Sequence, residues 1–220
     1  MIKAYYLFKK DFQSELRTRY AINALVMFIL VTISVILFSI GNEKISEYLT
    51  GGLLWVVIFF SAMSGLSRAF VSEEERGTVL TLHLIASPNT VFTGKLLFNL
   101  ILVFAMNIVI ALLYSVIFDS FVLKNLSLFL ISFVLGNIGI AAASTIIAAI
   151  IAKAGSKGTL YPVLSFPILL PLILMLLELT KFSIDGAGIS EAYVELTVLV
   201  CYDVVILTAS FLLFDFIWKD

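Results

Sequence analysis

Five long stretches of this chain carry no charged side chain: Tyr20–Asn42, Tyr48–Ser67, Leu96–Phe118, Asn125–Ala152 and Gly158–Leu177. A helix needs about 20 mostly apolar residues to cross a hydrocarbon core about 30 Å thick, so each stretch reads as a membrane span. A sixth, Tyr193–Trp218, is also long and apolar but is interrupted by Asp203. Only helices and closed barrels satisfy every backbone group in lipid. The expectation is therefore an all-α membrane protein of six spans, near residues 20–41, 49–70, 94–118, 126–152, 159–179 and 194–217, in one permease-like domain covering 1–220. Composition agrees: 61% of residues are hydrophobic and 13% charged, against roughly 25% charged in soluble domains.

Charge placement gives orientation. Lys3, Lys9, Lys10, Arg17 and Arg19 precede the first span. Arg68, Arg76 and Lys95 belong to the connection between the second and third spans, Lys153 and Lys157 to that between the fourth and fifth, and Lys219 follows the sixth. Lys44, Lys124 and Lys181 fall on the opposite side. The excess of Lys and Arg marks the cytoplasmic face, so both termini are expected there. The long charged arm Met1–Arg19 and the lack of an A-x-A site near Ile40 argue for a retained first span and not a cleaved signal.

Several functions are hard to build from these residues. One Cys (Cys201) and one His (His83) give no internal disulfide, no CxxC pair and no multi-His metal cage. No GxxxxGK[ST] occurs; Gly155-Ser156-Lys157-Gly158-Thr159 lacks that spacing, so ATP is expected on a partner and not on this chain. The spans hold no His and no paired Asp motif, which argues against an intramembrane enzyme. Nothing points to nucleic acid.

Two segments stand out beside the spans. In the N-terminal arm Tyr5, Phe8, Phe12 and Leu16 recur every three or four residues, with Lys3, Lys10 and Arg17 on other faces. That is the pattern of a helix lying in the membrane interface. The connection after the second span opens with Glu73, Glu74, Glu75, Arg76, Gly77 and Thr78 and runs into an apolar segment with Val79, Leu82 and Ile85 on one face. It closes at Ser87-Pro88. A short apolar helix with charges at its start suits a groove on a soluble partner; a plain solvated turn fits the same letters.

Within the spans, Pro162, Pro167 and Pro171 are expected to bend or break the fifth, as a mobile element near a translocation path or as a static kink. Gly136, Gly139, Ala143, Ser144 and Ala148 give the fourth a small-residue face suited to close packing inside the chain. Asp203 either lines a polar path below Glu195 and Glu191 or lies at the wet end of a helix that begins late. Cys201 reads as a small packing residue.

The string from Glu74 to Lys95, with its acid before Glu75-Arg76-Gly77-Thr78, its leucine-rich run, Ser87-Pro88 and the closing Gly94-Lys95, resembles the haem exporter protein B (CcmB) family of ABC transporter permeases. Gly52-Leu53-Leu54-Trp55 is similar to the family's opening of the second span, and the spacing of Pro162, Pro167 and Pro171 to its fifth. Val79-Leu80-Thr81 lacks an acid that many relatives carry, and Asn89-Thr90 replaces a second proline. The resemblance implies a homodimeric permease in the inner membrane that binds a separate cytoplasmic ATPase through Glu73–Thr78 and Ser87-Pro88. It implies work with a haem-handling membrane protein and a small accessory subunit, delivering haem to a periplasmic haem chaperone for c-type cytochromes. Haem would be cargo of the complex. His83 lies in the connection expected to meet the ATPase, so any axial ligand is expected from a partner. Alternatives are an export permease for a lipid, polysaccharide or drug, and a scaffold that transmits force without transporting.

Overall fold

The structure is a computed structural model and describes residues 2–41, 43, 45–66, 70, 73, 77–154 and 160–219. Its described helices are α1 (Ile2–Thr18), α2 (Tyr20–Ile40), α3 (Glu47–Leu66), α4 (Val79–Ile85), α5 (Pro88–Ile117), α6 (Leu126–Lys153), α7 (Tyr161–Asp185) and α8 (Tyr193–Lys219). Among the described residues there is no strand. Six of the helices are long and apolar enough to cross a membrane: α2, α3 and α5 to α8.

Helix α6 is the axis of the bundle and packs against α3, α5, α7 and α8. Its apolar window is 78% buried, against 17% for those of α2 and α8. The small residues make this possible. A Cβ at Gly136 would lie 2.8 Å from Leu176 Cδ1, and Ala143, Ser144 and Ala148 are fully buried. Lipid tails are as apolar as leucine, so helices associate in a bilayer through close packing and hydrogen bonds. Both are present: Asn99 Nδ2 donates to Thr145 Oγ1 at 2.9 Å, Asn107 Nδ2 to Asn137 Oδ1 at 2.7 Å, and Trp55 Nε1 to Thr180 Oγ1 at 2.7 Å. The small-residue face thus packs within the chain.

Two helices run beyond the charge-free stretches that suggested them. Helix α5 begins at Pro88, because proline has no N–H to lose in the first turn and its fixed φ suits that position. Helix α7 continues past Glu178 to Asp185, with Lys181 Nζ 2.7 Å from Glu178 Oε1, and stops at Gly186, whose φ is 84°. A charge ends the apolar stretch without ending the helix, since the last turns can stand in water.

Helix α1 turns into α2 at Arg19, a non-glycine residue at φ 53°. Glu15 Oε1 accepts from the Ile22 N–H at 3.0 Å and satisfies one of the free donors opening α2. The aromatic stripe is present on α1: Tyr5–Phe8 and Phe8–Phe12 ring centroids lie 6.2 and 5.8 Å apart. It faces outward, however. The face packed on α5 is Ala4, Leu7 and Asp11, and a Cβ on Gly94 would meet Leu7 Cβ at 2.9 Å and the Ala4 carbonyl at 3.1 Å.

Candidate coupling site

One end of the bundle gathers α1, the segment around Phe70 and Glu73, α4, the start of α5 and the ends of α6 and α8. Its centre is ionic. Lys95 is the single charge in α5 and is 4% exposed. Its Nζ lies 2.8 Å from Glu73 Oε1, 2.9 Å from Asp11 Oδ2 and 5.8 Å from the Phe70 ring centroid. Lys10 Nζ donates to Glu73 Oε1 at 2.7 Å, and the Thr78 hydroxyl donates to Glu73 Oε2. Burial alone would raise the Glu73 carboxyl; Lys95 and the hydrogen bonds from Lys10, Lys95 and Thr78 outweigh it and hold the group at about 2.

Glu73 is therefore an interior residue, 4% exposed, whose carboxylate binds α1 to α5. The Thr78 amide and hydroxyl also bond the Glu73 carbonyl, at 3.0 and 3.2 Å. Gly77, at φ 66°, makes the turn between them. Glu74, Glu75 and Arg76 lie outside the described residues.

Helix α4 follows directly. Leu82 is buried and Val79 partly so, but Ile85 is 59% exposed. The expected Val79–Leu82–Ile85 face therefore divides, because seven residues make only two turns and the second leaves the bundle. Leu80 and Leu84 stand outward at 77% and 88% exposure, one turn apart. Lys3 Nζ donates to the Ile85 carbonyl at 3.2 Å and ties the end of α4 to α1. Ser87, extended at φ −70° and ψ 154°, separates α4 from α5, with its Oγ 2.8 Å from Thr90 Oγ1. Ser87-Pro88 thus ends one helix and begins the next.

His83 stacks on Trp218 near the end of α8, with centroids 4.2 Å apart and planes 10° from parallel. Beside it, a cavity of about 130 Å³ is bordered by Val79, Ala152, Phe214 and Ile217. Sequence reading gave no site role to Lys10, Asp11 or Trp218 and read Lys95 only as a motif residue. A lone lysine in an otherwise uncharged span was the available signal for the ionic centre.

The remaining candidates lie deeper and apart from this end. Pro162 falls in the first turn of α7, where no hydrogen bond is lost, and α7 runs unbroken through Pro167 and Pro171. The expected break is absent, and all three prolines sit on the outward face. Asp203 is buried at 5% exposure in the middle of α8, which starts at Tyr193, so it does not mark a wet helix end. It points at α6: a Cβ on Gly139 would lie 2.6 Å from Asp203 Oδ1. Neither of its oxygens has a hydrogen-bond partner among the described residues. Tyr202, next to it, donates to the Ile168 carbonyl of α7 at 2.9 Å. Glu195 is half-buried on the same inner stripe, Glu191 is exposed, and Cys201 is exposed and not a packing residue.

A family model described as CcmB protein matches residues 2–215, nearly the whole chain. The chain belongs to the CcmB family. No curated protein matches it. A CcmB-family chain is the permease subunit of a haem exporter in cytochrome c maturation, not an enzyme, and this one is a multi-pass membrane protein. The resemblance carried by Gly94-Lys95 acquires a physical reason here: the glycine admits α1 and the lysine fastens it.

Proposed function

We propose that two copies of this permease pair in the inner membrane, termini in the cytoplasm, and that α4 of each docks into a groove on a cytoplasmic ATPase. Leu80 and Leu84 fill the groove, while Glu74, Glu75 and Arg76 at the start of the segment set register with the partner. Glu73 does not reach the partner; with Thr78 and Gly77 it fixes where α4 leaves the bundle, and Ser87-Pro88 fix where it returns. ATP binds the partner, and closure of the ATPase pair moves α4. With a haem-handling membrane protein and a small accessory subunit, the assembly supports delivery of haem to a periplasmic chaperone for c-type cytochromes.

One observation carries this reading: a short helix, anchored at both ends, leaves two leucines uncovered by the rest of the chain. Exposed apolar side chains one turn apart on a helix are the anchors of helix-in-groove recognition. The excess of Lys and Arg on the side where α4 sits puts it on the face that a cytoplasmic ATPase can reach.

The test is a haem stain of c-type cytochromes in a strain lacking this gene, complemented with wild type or with L80E/L84E. Loss without the gene, rescue by wild type, and failure of L80E/L84E with loss of ATPase co-purification support the reading. Normal c-type cytochromes in the deletion strain contradict the haem role, and retained ATPase binding by L80E/L84E contradicts the docking face.

A further inference from the structure

We propose that α8 is an output lever of the coupling helix, driven through the stack of His83 on Trp218. The proposal rests on the docking role of α4 given above and adds which span α4 moves. Helix α4 is short and its described fastenings are few. Thr78 and Glu73 hold its start to α1 and α5, Lys3 holds its end to α1, and Leu82 is buried beneath it. The His83 ring reaches α8 by stacking on Trp218.

Trp218 passes the contact inward. It is 9% exposed and stacks on Phe214 at 5.3 Å; Phe214 meets Phe70 at 5.5 Å and Phe92 at 5.1 Å, and Phe92 meets Phe211 at 4.9 Å. The inner face of the last turns of α8 thereby packs against rings from the connection and from α5. Parallel rings resist separation yet tolerate sliding, because offset stacks are favourable over a range of positions. The adjoining cavity leaves space for that sliding, which a close-packed interior would forbid.

The other end of the lever is defined as well. Helix α8 is continuous from Tyr193 to Lys219 and holds no proline, so a push at Trp218 is carried along a rigid rod. Asp203, fifteen residues back and about 22 Å away at 1.5 Å per residue, lies on the inner stripe against Gly139. Displacement of α8 therefore moves a buried carboxyl that has no hydrogen-bond partner among the described residues against the central helix. His83 and Trp218 act as positioning residues, touching neither nucleotide nor cargo.

The test uses the purified complex of this chain with its ATPase, together with the complemented strain. It compares His83→Ala, His83→Phe, Trp218→Ala and Trp218→Phe. The readout is holocytochrome c formed relative to ATP hydrolysed, which a general loss of folded complex does not change. His83→Ala and Trp218→Ala are expected to lower this ratio by about tenfold, within the range seen for residues that carry coupling, while the ATPase still co-purifies. His83→Phe and Trp218→Phe keep an aromatic stack and should restore it. An unchanged ratio in His83→Ala, no rescue by His83→Phe, or loss of the ATPase from His83→Ala would each overturn the lever. None of these repeats the failure of L80E/L84E to lose the ATPase, which would strike the docking reading alone.

Discussion

Two buried acids sit in two parts of this molecule under opposite conditions. At the end of the bundle, Glu73 is met by Lys95, Lys10 and Thr78, and Lys95 in turn holds Asp11. In the middle of α8, Asp203 is as deeply buried and faces a glycine, with no donor on either oxygen among the described residues. Taking a carboxylate out of water costs several kcal/mol even after relaxation. At Glu73 that cost is offset locally, so the group fixes three segments in place. At Asp203 nothing described offsets it, so α8 carries a group whose comfort depends on how α8 sits against α6. The first region is built to stay, and the second is sensitive to movement.

The largest effect that would break this contrast is at Lys95. Lys95→Met leaves Glu73 and Asp11 buried with Lys10 the one remaining cation beside them among the described residues, and removing one partner of a buried pair costs about 3–5 kcal/mol. Thermal unfolding in detergent should show a marked fall, with α1 becoming accessible to protease. A wild-type melting temperature would mean that the cluster contributes nothing.

An intermediate effect concerns pH. The folded carboxyl of Glu73 is held at about 2, below its ordinary 4.5. A depressed acid stabilises above its unfolded value, and that contribution is lost as pH falls through the folded one. Stability from Glu73 should be complete at neutral pH and decline only below 4.5, toward about 2. Glu73→Gln should flatten this acid limb; an unchanged limb would show that other carboxylates set it.

The smallest effect is expected at Asp203. Asp203→Asn keeps the shape and removes a charge that no described group offsets, so stability should hold or rise, by about 1 kcal/mol or less. A clear loss of stability would reveal a partner for Asp203 in the assembled complex, and the contrast with Glu73 would narrow.

Much of the architecture could be read from the letters because lipid imposes it. Charge-free length located α2, α3 and α5 to α7, apolar length located α8 despite its acids, and the small residues of α6 announced its packing. The candidate site was less legible for a specific reason. Glu73 stands beside two further glutamates, and three consecutive acids give no period that says which one turns inward. Its partners Lys10 and Lys95 lie 63 and 22 residues away. The same distance problem hid the pairing of His83 with Trp218. Asp203 was visible as an acid at depth, but the glycine that makes room for it belongs to another helix. The prolines did not break α7: one lost no hydrogen bond in its first turn, and the helix continues through the other two.

The outward stripe of Tyr5, Phe8 and Phe12 on α1 has a consequence for the surrounding lipid. If α1 lies in the interface, as its stripe leads one to expect, its depth follows the bilayer surface, while Ala4 and Leu7 clamp it to Gly94 of a span whose length is fixed. A thicker or thinner membrane would shift one against the other, and mismatch is relieved by tilt at a modest cost per ångström. Lys3 and Lys10 carry that strain to the two ends of the α4 segment. Acyl-chain length is thus a variable against which the presentation of the short helix can be measured.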